Sequence, residues 1–158
     1  MSTEYTGAGY ISNPVDLLLG GHDTEGRVAL VFSIERSGCE PPLHRHRNED
    51  EIVYVLAGEL TFYVNGERRR VLTGECLLLR RGVEHGYRVE SEEACLLTVV
   101  MPSGLESYFL ELDKDAGTVD IERLVTVAAR YGIEITGPPP AADPQLIVGG
   151  AAGALPLR

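Results

Sequence analysis

The sequence predicts an all-β fold, an antiparallel sandwich or barrel with one or two α-helices packed against its outside. Between residues 27 and 101, short runs rich in Val, Leu, Ile and Tyr alternate with turn-forming Gly, Asn-Gly or Pro residues. Regularly spaced runs of strand length, bounded in this way, are typical of all-β domains. The chain has 158 residues, which suffices for one such domain but not for two.

Seven segments have the composition of strands. In chain order they are RVALVFSIE, EIVYVLAG, ELTFYV, RRVLTG, ECLLLRRG, GYRVES and ACLLTVVMP. Asn65 and Gly66 separate the third segment from the fourth, and both residues tolerate the positive φ angles of a tight turn. We therefore expect the third and fourth strands to pair as a β-hairpin.

Two helices are predicted after the last strand. Ser103 and Glu106 have the spacing of a capping box and lead into LESYFLEL. Asp120 can cap a second helix, IERLVTVAARYG, which Gly132 can end. The predicted segments are an N-terminal arm over residues 1–24, a β-barrel over 25–101, C-terminal helices over 102–136 and a Pro/Gly/Ala-rich, partly flexible tail over 137–158.

Charge and composition point to a protein that binds small molecules. The net charge is −10 and the acidic residues are spread along the chain, so we expect neither a nucleic acid nor a membrane as a partner. No signal peptide or membrane-spanning run is recognisable, which predicts a cytoplasmic protein. The cysteines, Cys39, Cys76 and Cys95, are odd in number and irregularly spaced, which argues against a disulfide framework or a CxxC site.

Histidines and acids at regular spacing suggest a metal site. His44 and His46 are two residues apart, so on a strand their side chains leave the same face and can bind one ion. Glu49 and Glu51 have the opposite parity, so they can join the histidines only if the strand breaks in between. Parity does not distinguish these two glutamates, and His85 is a further candidate. Imidazole and carboxylate suit iron, manganese, nickel, cobalt, copper or zinc better than calcium or magnesium.

The spacing of these residues resembles the two motifs of the cupin superfamily, whose members are small jelly-roll β-barrels. The first motif is matched at every spacing by Gly38, His44, His46, Glu51 and Gly58. In the second motif Gly74, Gly82 and His85 are in place, whereas Arg80 replaces the usual proline and Val89 the usual asparagine. The resemblance implies that one divalent first-row transition metal ion is bound by His44, His46, Glu51 and His85. It thereby selects Glu51 over Glu49.

The single barrel followed by a helix that ends in AARYGIEITGPP is similar to single-domain cupins of the quercetin-dioxygenase type. This similarity implies a homodimer and a dioxygenase that acts on a small enolisable or aromatic molecule, with Glu51 as both metal ligand and base. Tyr87, on the face of His85, and Phe62 are predicted to contact the substrate. Two alternatives fit the same barrel: a redox-neutral polyketide cyclase or isomerase that uses the same metal site, and a non-enzymatic cupin that binds a small molecule.

Overall fold

The structure, a computed structural model, describes residues 10–11, 13–113 and 118–141. The strands are β1 (Tyr10–Ile11), β2 (Val15–Leu19), β3 (Ala29–Arg36), β4 (Leu43–His46), β5 (Asp50–Ala57), β6 (Glu59–Val64), β7 (Glu67–Leu72), β8 (Cys76–Leu79), β9 (His85–Val89), β10 (Glu93–Met101), β11 (Thr118–Val119) and β12 (Ile133–Gly137). The helices are α1 (Glu106–Asp113) and α2 (Ile121–Arg130).

Two five-stranded antiparallel sheets form the barrel. Sheet I has the strand order β2-β3-β10-β5-β8, and sheet II has the order β12-β4-β9-β6-β7. Between β3 and β10 the chain passes from one sheet to the other at every connection except the hairpin of β6 and β7. This arrangement confirms the predicted all-β jelly roll with C-terminal helices.

The core lies between the inner faces of the two sheets. Sheet I contributes Val53, Val55, Leu77 and Leu96, and sheet II contributes Leu60, Phe62, Val71 and Val89, all of them buried. Because side chains alternate along a strand, every second residue of these strands enters the core. The barrel is thus closed by packed aliphatic side chains at one end, and polar side chains enter it elsewhere.

Glycines allow two of the connections. The β6–β7 hairpin turns at Asn65 and Gly66, whose φ angles are 51° and 80°, as predicted from the sequence. Gly58, between β5 and β6, has a φ of 91°, and a Cβ at this position would lie 2.7 Å from the carbonyl oxygen of Glu93. Gly58 is therefore required both by its backbone conformation and by the close approach of a neighbouring strand.

Three strands of the two sheets, β2, β4 and β12, lie outside the seven segments predicted. β2 lies within the segment predicted as an N-terminal arm and pairs with β3 at the edge of sheet I. β12 lies within the segment predicted as helical and pairs with β4, the strand of His44 and His46. The four-part division of the chain stays a prediction, and residues 142–158 of the expected tail lie outside the described residues, as do residues 1–9 and 12 of the expected arm.

Both helices pack against the barrel. α2 begins where predicted, because the side chain of Asp120 accepts a hydrogen bond from the backbone N–H of Arg123. The capping box expected at α1 is wrong: the Glu106 carboxylate accepts hydrogen bonds from Gly104 N and Gly21 N, which ties the start of α1 to the loop after β2. Among the described residues, neither helix has the length and apolar character of a membrane-spanning segment.

Candidate metal centre

Three histidines meet on the inner face of sheet II. His44 of β4 and His85 of β9 are paired in register, which places their rings side by side with centroids 4.5 Å apart. His46 follows two residues after His44 and so leaves the same face of β4. Its ring centroid lies 5.0 Å from that of His44 and 5.2 Å from that of His85. One donor atom from each ring lies within 4.8 Å of the others.

Backbone carbonyls fix the orientation of two of the rings. His44 Nδ1 donates a hydrogen bond to the carbonyl oxygen of Pro42 at 2.7 Å, and His85 Nδ1 donates to that of Val83 at 3.0 Å. A carbonyl oxygen can only accept, so in each ring the proton resides on Nδ1. The Nε2 lone pairs of both residues are consequently free to bind an ion, as in second-shell contacts of metal-ligating histidines.

Glu51 reaches the histidines from the opposite sheet. Its Oε2 atom lies 3.2 Å from His46 Nε2 and 3.5 Å from His85 Nε2. Neighbouring ligands about 2.1 Å from one metal ion lie roughly 3.0 Å apart when they subtend a right angle. The three atoms are therefore close to the spacing that a shared ion requires.

The donor atoms are buried and lack other partners. His46 Nε2 and His85 Nε2 have no hydrogen-bond partner among the described residues, although both side chains are almost fully buried. Buried polar atoms without a partner are rare in folded proteins, because each one costs free energy. The unpaired nitrogens converge together with a carboxylate, so the residues present fit a metal ion, and they are positioned to bind one.

Burial and mutual interactions shift the pKa values of three of these groups in different directions. Burial, together with the neighbouring His85 and His46, lowers the pKa of His44 to about 3, so its ring is neutral at ordinary pH. Burial alone would raise the pKa of Glu51, but the adjacent His46 and His85 hold it well below its usual range. Burial would lower the pKa of His46, yet the Glu51 carboxylate outweighs it and raises this pKa.

The structure separates the two glutamates that parity left open. Glu51 opens β5 in sheet I and faces the histidines, whereas Glu49 lies in the connection before that strand. Glu49 is buried, its Oε2 has no partner among the described residues, and it is absent from the cavity wall described below. Burial raises the pKa of Glu49 above its usual value. Glu51, not Glu49, therefore completes the group of four.

A cavity of about 130 Å³ opens from the histidine cluster into the barrel. Phe62 and Tyr87 both line it and contact each other, with ring centroids 5.4 Å apart. Tyr108 of α1 and Leu124 of α2 also line it, so the C-terminal helices form part of the wall. The structure places both aromatic residues predicted from the sequence next to the site, and their contact with a substrate stays a prediction.

Sequence analysis missed several polar residues of this cavity, among them Asn13 and Glu35. Glu35 lies in β3 on the same face as Val31 and Ser33, and it is only 7% exposed. The only signal in the sequence is a carboxylate at the end of an otherwise apolar strand, and this strand is apolar at both parities. Asn13 belongs to no motif.

Comparisons with known proteins agree with this architecture. Residues 30–101 match the family model Cupin_2, the cupin domain. Quercetin 2,3-dioxygenase from Bacillus subtilis (strain 168) is 28% identical over 85 residues, which cover 54% of this chain and 25% of that protein. Endoribonuclease YbeY from Myxococcus xanthus (strain DK1622) is 48% identical over 46 residues, which cover 29% of this chain and 16% of that protein. The chain thus spans a quarter or less of these two relatives.

A similar fold occurs among solved structures. A predicted oxalate decarboxylase from Thermotoga maritima superposes with a TM-score of 0.53 at 20% identity, covering 60% of this chain and 93% of that one. At this identity the likeness concerns the fold alone. The two-sheet barrel, the family match over residues 30–101 and the converging histidines lead to one conclusion. Residues 30–101 thus form a cupin domain.

Proposed function

We propose that this protein is a metal-dependent enzyme that acts on a small enolisable or aromatic molecule, as a dioxygenase of the quercetinase type. The observation that carries the proposal is the convergence of three imidazoles and one carboxylate in a cavity with otherwise mainly apolar walls. The 28% identity to quercetin 2,3-dioxygenase over 85 residues supports the choice of reaction.

The cofactor in this proposal is one divalent first-row transition metal ion, bound by His44, His46, Glu51 and His85. Such an ion supplies Lewis acidity toward substrate oxygens and, if it is redox-active, the electron exchange that dioxygen chemistry requires. Three neutral imidazoles and one carboxylate leave the centre with about one positive charge, which favours an anionic, enolate-like substrate.

The chain's own residues then have distinct tasks. The Glu51 carboxylate lies beside the histidine cluster, where it can accept the proton of a substrate hydroxyl group. Phe62 is fully buried and Tyr87 is half-buried beside it, and together they present an aromatic wall to a planar ligand. The apolar lining excludes water from the reacting groups, which strengthens the electrostatic interactions among them.

Oxygen consumption with quercetin tests this proposal. The full chain is loaded separately with iron, manganese, nickel, cobalt, copper and zinc, and oxygen uptake is measured with an electrode. We expect uptake with at least one redox-active ion, loss of uptake in His85→Ala, and normal uptake in His22→Ala. His22 is the matched control because its side chain is 82% exposed and lies outside the cavity.

The outcomes separate the candidate functions. If quercetin and related enolisable substrates cause no uptake with any ion, the dioxygenase proposal is wrong. Product formation under strict anaerobiosis by zinc-loaded protein would instead identify a redox-neutral cyclase or isomerase. Tight binding of a small molecule without any turnover would identify a non-enzymatic binding protein.

We further propose that the protein forms a homodimer through the outer face of sheet I. In β3, β5, β8 and β10 the side chains that point away from the core are mostly apolar, among them Phe32, Ile34, Tyr54, Leu56, Leu78 and Leu97. The outer face of sheet II carries ion pairs instead, such as Arg45 with Glu134 and Arg70 with Glu59. Antiparallel sheets normally expose polar side chains on a solvated face, so sheet I has the composition of a covered one.

A second copy of the chain is the partner that this face fits. Two copies related by a two-fold axis would bring the same apolar surface together without burying an unpaired charge. The metal site lies on the inner side of the sheets, so such a dimer would leave the cavity intact.

A further inference from the structure

A carboxylate that the metal centre does not use projects into the same cavity. Glu35 lies on β3, whose inward-facing residues are Ala29, Val31, Ser33 and Glu35 itself. Its side chain lines the cavity that also contains the histidine cluster. A buried carboxylate is costly unless its oxygens are satisfied, so the surroundings of Glu35 indicate its role.

The side chains that form hydrogen bonds with Glu35 are all neutral, and the nearby Glu40 carboxylate repels it. Asn13 Nδ2 donates a hydrogen bond to Glu35 Oε2 at 2.5 Å, and the hydroxyl groups of Ser33 and Tyr87 are also hydrogen-bonded to this carboxylate. Asn13 is itself held in place, since Nδ2 also donates to Cys39 O at 3.1 Å and Oδ1 accepts from Arg36 N at 3.2 Å. Within the described part of the chain, no arginine or histidine forms an ion pair with Glu35.

A second buried glutamate shows what a structural carboxylate in this barrel looks like. Glu40 is also 7% exposed, but its two oxygens accept hydrogen bonds from Gly38 N and Val89 N. It ties two backbone segments together and does not line the cavity. None of the hydrogen bonds described for Glu35 comes from a backbone N–H, and its carboxylate faces open space, so a structural role does not account for it.

Glu35 and the histidine cluster occupy different ends of the cavity. Val100 of β10 pairs with Glu51 on one side and with Ala29 on the other, so Glu51 and Ala29 lie in one row across sheet I. Glu35 is six residues further along β3, a distance of about 20 Å along the strand. Tyr87 lies between the two ends, because it follows His85 by two residues on β9 and its hydroxyl reaches Glu35.

We propose that Glu35 and Tyr87 form a second binding subsite, which accepts a hydrogen bond from a phenolic hydroxyl group at the far end of the ligand. This inference rests on the proposed function in one respect, namely that the ligand's other end binds with its oxygen atoms at the histidine cluster. The ligand class is then an elongated aromatic molecule with oxygen donors at one end and a free hydroxyl at the other. Apolar side chains between the two ends, such as Val53 and Phe62, suit its ring system.

Burial strengthens the recognition at this subsite. It raises the pKa of Glu35 above its usual value, against the hydrogen bonds from Ser33, Tyr87 and Asn13, which lower it. A buried carboxyl group that has lost much of its hydration gains more from an added hydrogen-bond donor than a solvated one does. A ligand without a donor at this position would gain nothing from Glu35.

Phenol and anisole form a matched pair of probes for the subsite, because both carry the aromatic ring but only phenol can donate a hydrogen bond. Their dissociation constants are measured on the full chain by NMR titration, with shifts of Tyr87 and Asn13 side-chain resonances as the local readout. We expect the parent to prefer phenol by about tenfold, a gain within the range of one net intramolecular hydrogen bond. In Glu35→Gln this preference should fall to about twofold or less, with the affinity for anisole unchanged.

The controls keep the result interpretable. Glu106→Gln alters a buried glutamate that neither lines this cavity nor acts on Glu35, and it should retain the preference for phenol. If Glu35→Gln does not fold, Tyr87→Phe removes only the hydroxyl group that is hydrogen-bonded to Glu35, and it should change the preference for phenol while the affinity for anisole stays the same. If phenol bound at the histidine cluster instead, its affinity would be the same in the parent, in Glu35→Gln and in Tyr87→Phe.

Two results would overturn the subsite: equal affinities of the parent for phenol and anisole, or a preference that survives in the cavity variants. Neither depends on catalysis. If the protein consumes no oxygen but prefers phenol through Glu35, the subsite is supported and the dioxygenase proposal is wrong. If it consumes oxygen with quercetin but shows no preference for phenol, the dioxygenase proposal is supported and the subsite is wrong.

Discussion

The Oε2 atom of Glu51 lies 3.2 Å from His46 Nε2, although the two residues belong to different sheets of the barrel. Only residues 47–49 separate β4 from β5, so the chain crosses from sheet II to sheet I immediately after the second histidine. Because of this crossing, the alternation of side chains along one strand does not apply between His46 and Glu51. The Glu51 side chain consequently faces the imidazoles. A metal ion at this position would join the two sheets.

Removal of a ligand should abolish metal binding. We expect Glu51→Ala and His85→Ala to lower bound metal from near one ion per chain to less than about a tenth, since even changes to groups that support ligands cost 10- to 100-fold in affinity. Elemental mass spectrometry on tag-free protein measures the content. Glu49→Ala is the matched control and should keep its metal; loss in this variant with retention in Glu51→Ala would refute the assignment.

A side chain at Gly58 should destabilise the fold more than one at Gly66. Both residues have positive φ angles, 91° and 80°, so alanine at either position costs about 1–2 kcal/mol for the left-handed backbone. At Gly58 the added Cβ would also approach Glu93 O and Ala94 Cα to within 3 Å, whereas at Gly66 it meets nothing within 4 Å. Overpacking of this kind costs roughly a further 1–3 kcal/mol.

Urea unfolding of Gly58→Ala and Gly66→Ala gives both free energies of unfolding. Equal losses of stability in the two variants would mean that the contact between Gly58 and β10 is not tight in solution.

The stability conferred by Glu35 should depend on pH with a defined sign. The pKa of this carboxyl is raised in the folded protein by burial, so between about pH 4.5 and that raised value the folded state binds more protons than the unfolded state. The free energy of unfolding of the parent therefore falls as the pH rises through this window. Glu35→Gln does not titrate and lacks this slope, which can reach about 1.4 kcal/mol per pH unit.

Chemical denaturation of the parent and Glu35→Gln at a series of pH values measures the difference. The variant should gain stability relative to the parent as the pH rises. If the free energies of unfolding of the parent and the variant change in parallel with pH, the pKa of Glu35 is not raised in the folded protein.

A charge on the outer face of sheet I should dissociate the dimer. Tyr54 lies on this face and is 40% exposed, and in Tyr54→Lys a dimer would bury an unpaired ammonium group. We expect the dissociation constant of the dimer to rise by at least about a hundredfold, since an uncompensated buried charge costs about 3–5 kcal/mol. Tyr63→Lys makes the same change on sheet II and should leave the dimer intact. Analytical ultracentrifugation that finds a monomeric parent would refute the homodimer.

Much of the fold and of the site could be predicted from the sequence, and the exceptions have physical causes. The seven strand segments and the helix after Asp120 are marked by local turn and capping residues. The choice of Glu51 came from the resemblance to cupins, because strand parity cannot detect that β4 and β5 lie in different sheets. β12 was missed because its short run, IEITG, acquires its strand conformation by pairing with the distant β4.

Ser33 and Glu35 were not predicted to line the cavity for a different reason. In β3 the residues that point outward, such as Phe32 and Ile34, are larger and more apolar than the inward-facing Ser33 and Glu35. The usual rule that the more apolar face of a strand points into the core therefore selects the wrong face of β3. In β3 the more apolar face is therefore the outer one and not the face that lines the interior.

The walls of the cavity come partly from residues 30–101, which match the cupin domain, and partly from residues before and after them. The histidines and Glu51 lie within residues 30–101, whereas Tyr108, Phe109, Leu112 and Leu124 lie on the helices that follow. Exchange of the C-terminal segment between relatives, by recombination or by design, would thus change the shape of the ligand that fits while the ion-binding half is inherited unchanged. The choice of ligand and the ion-binding residues would then change independently, because they lie in separate segments of the chain.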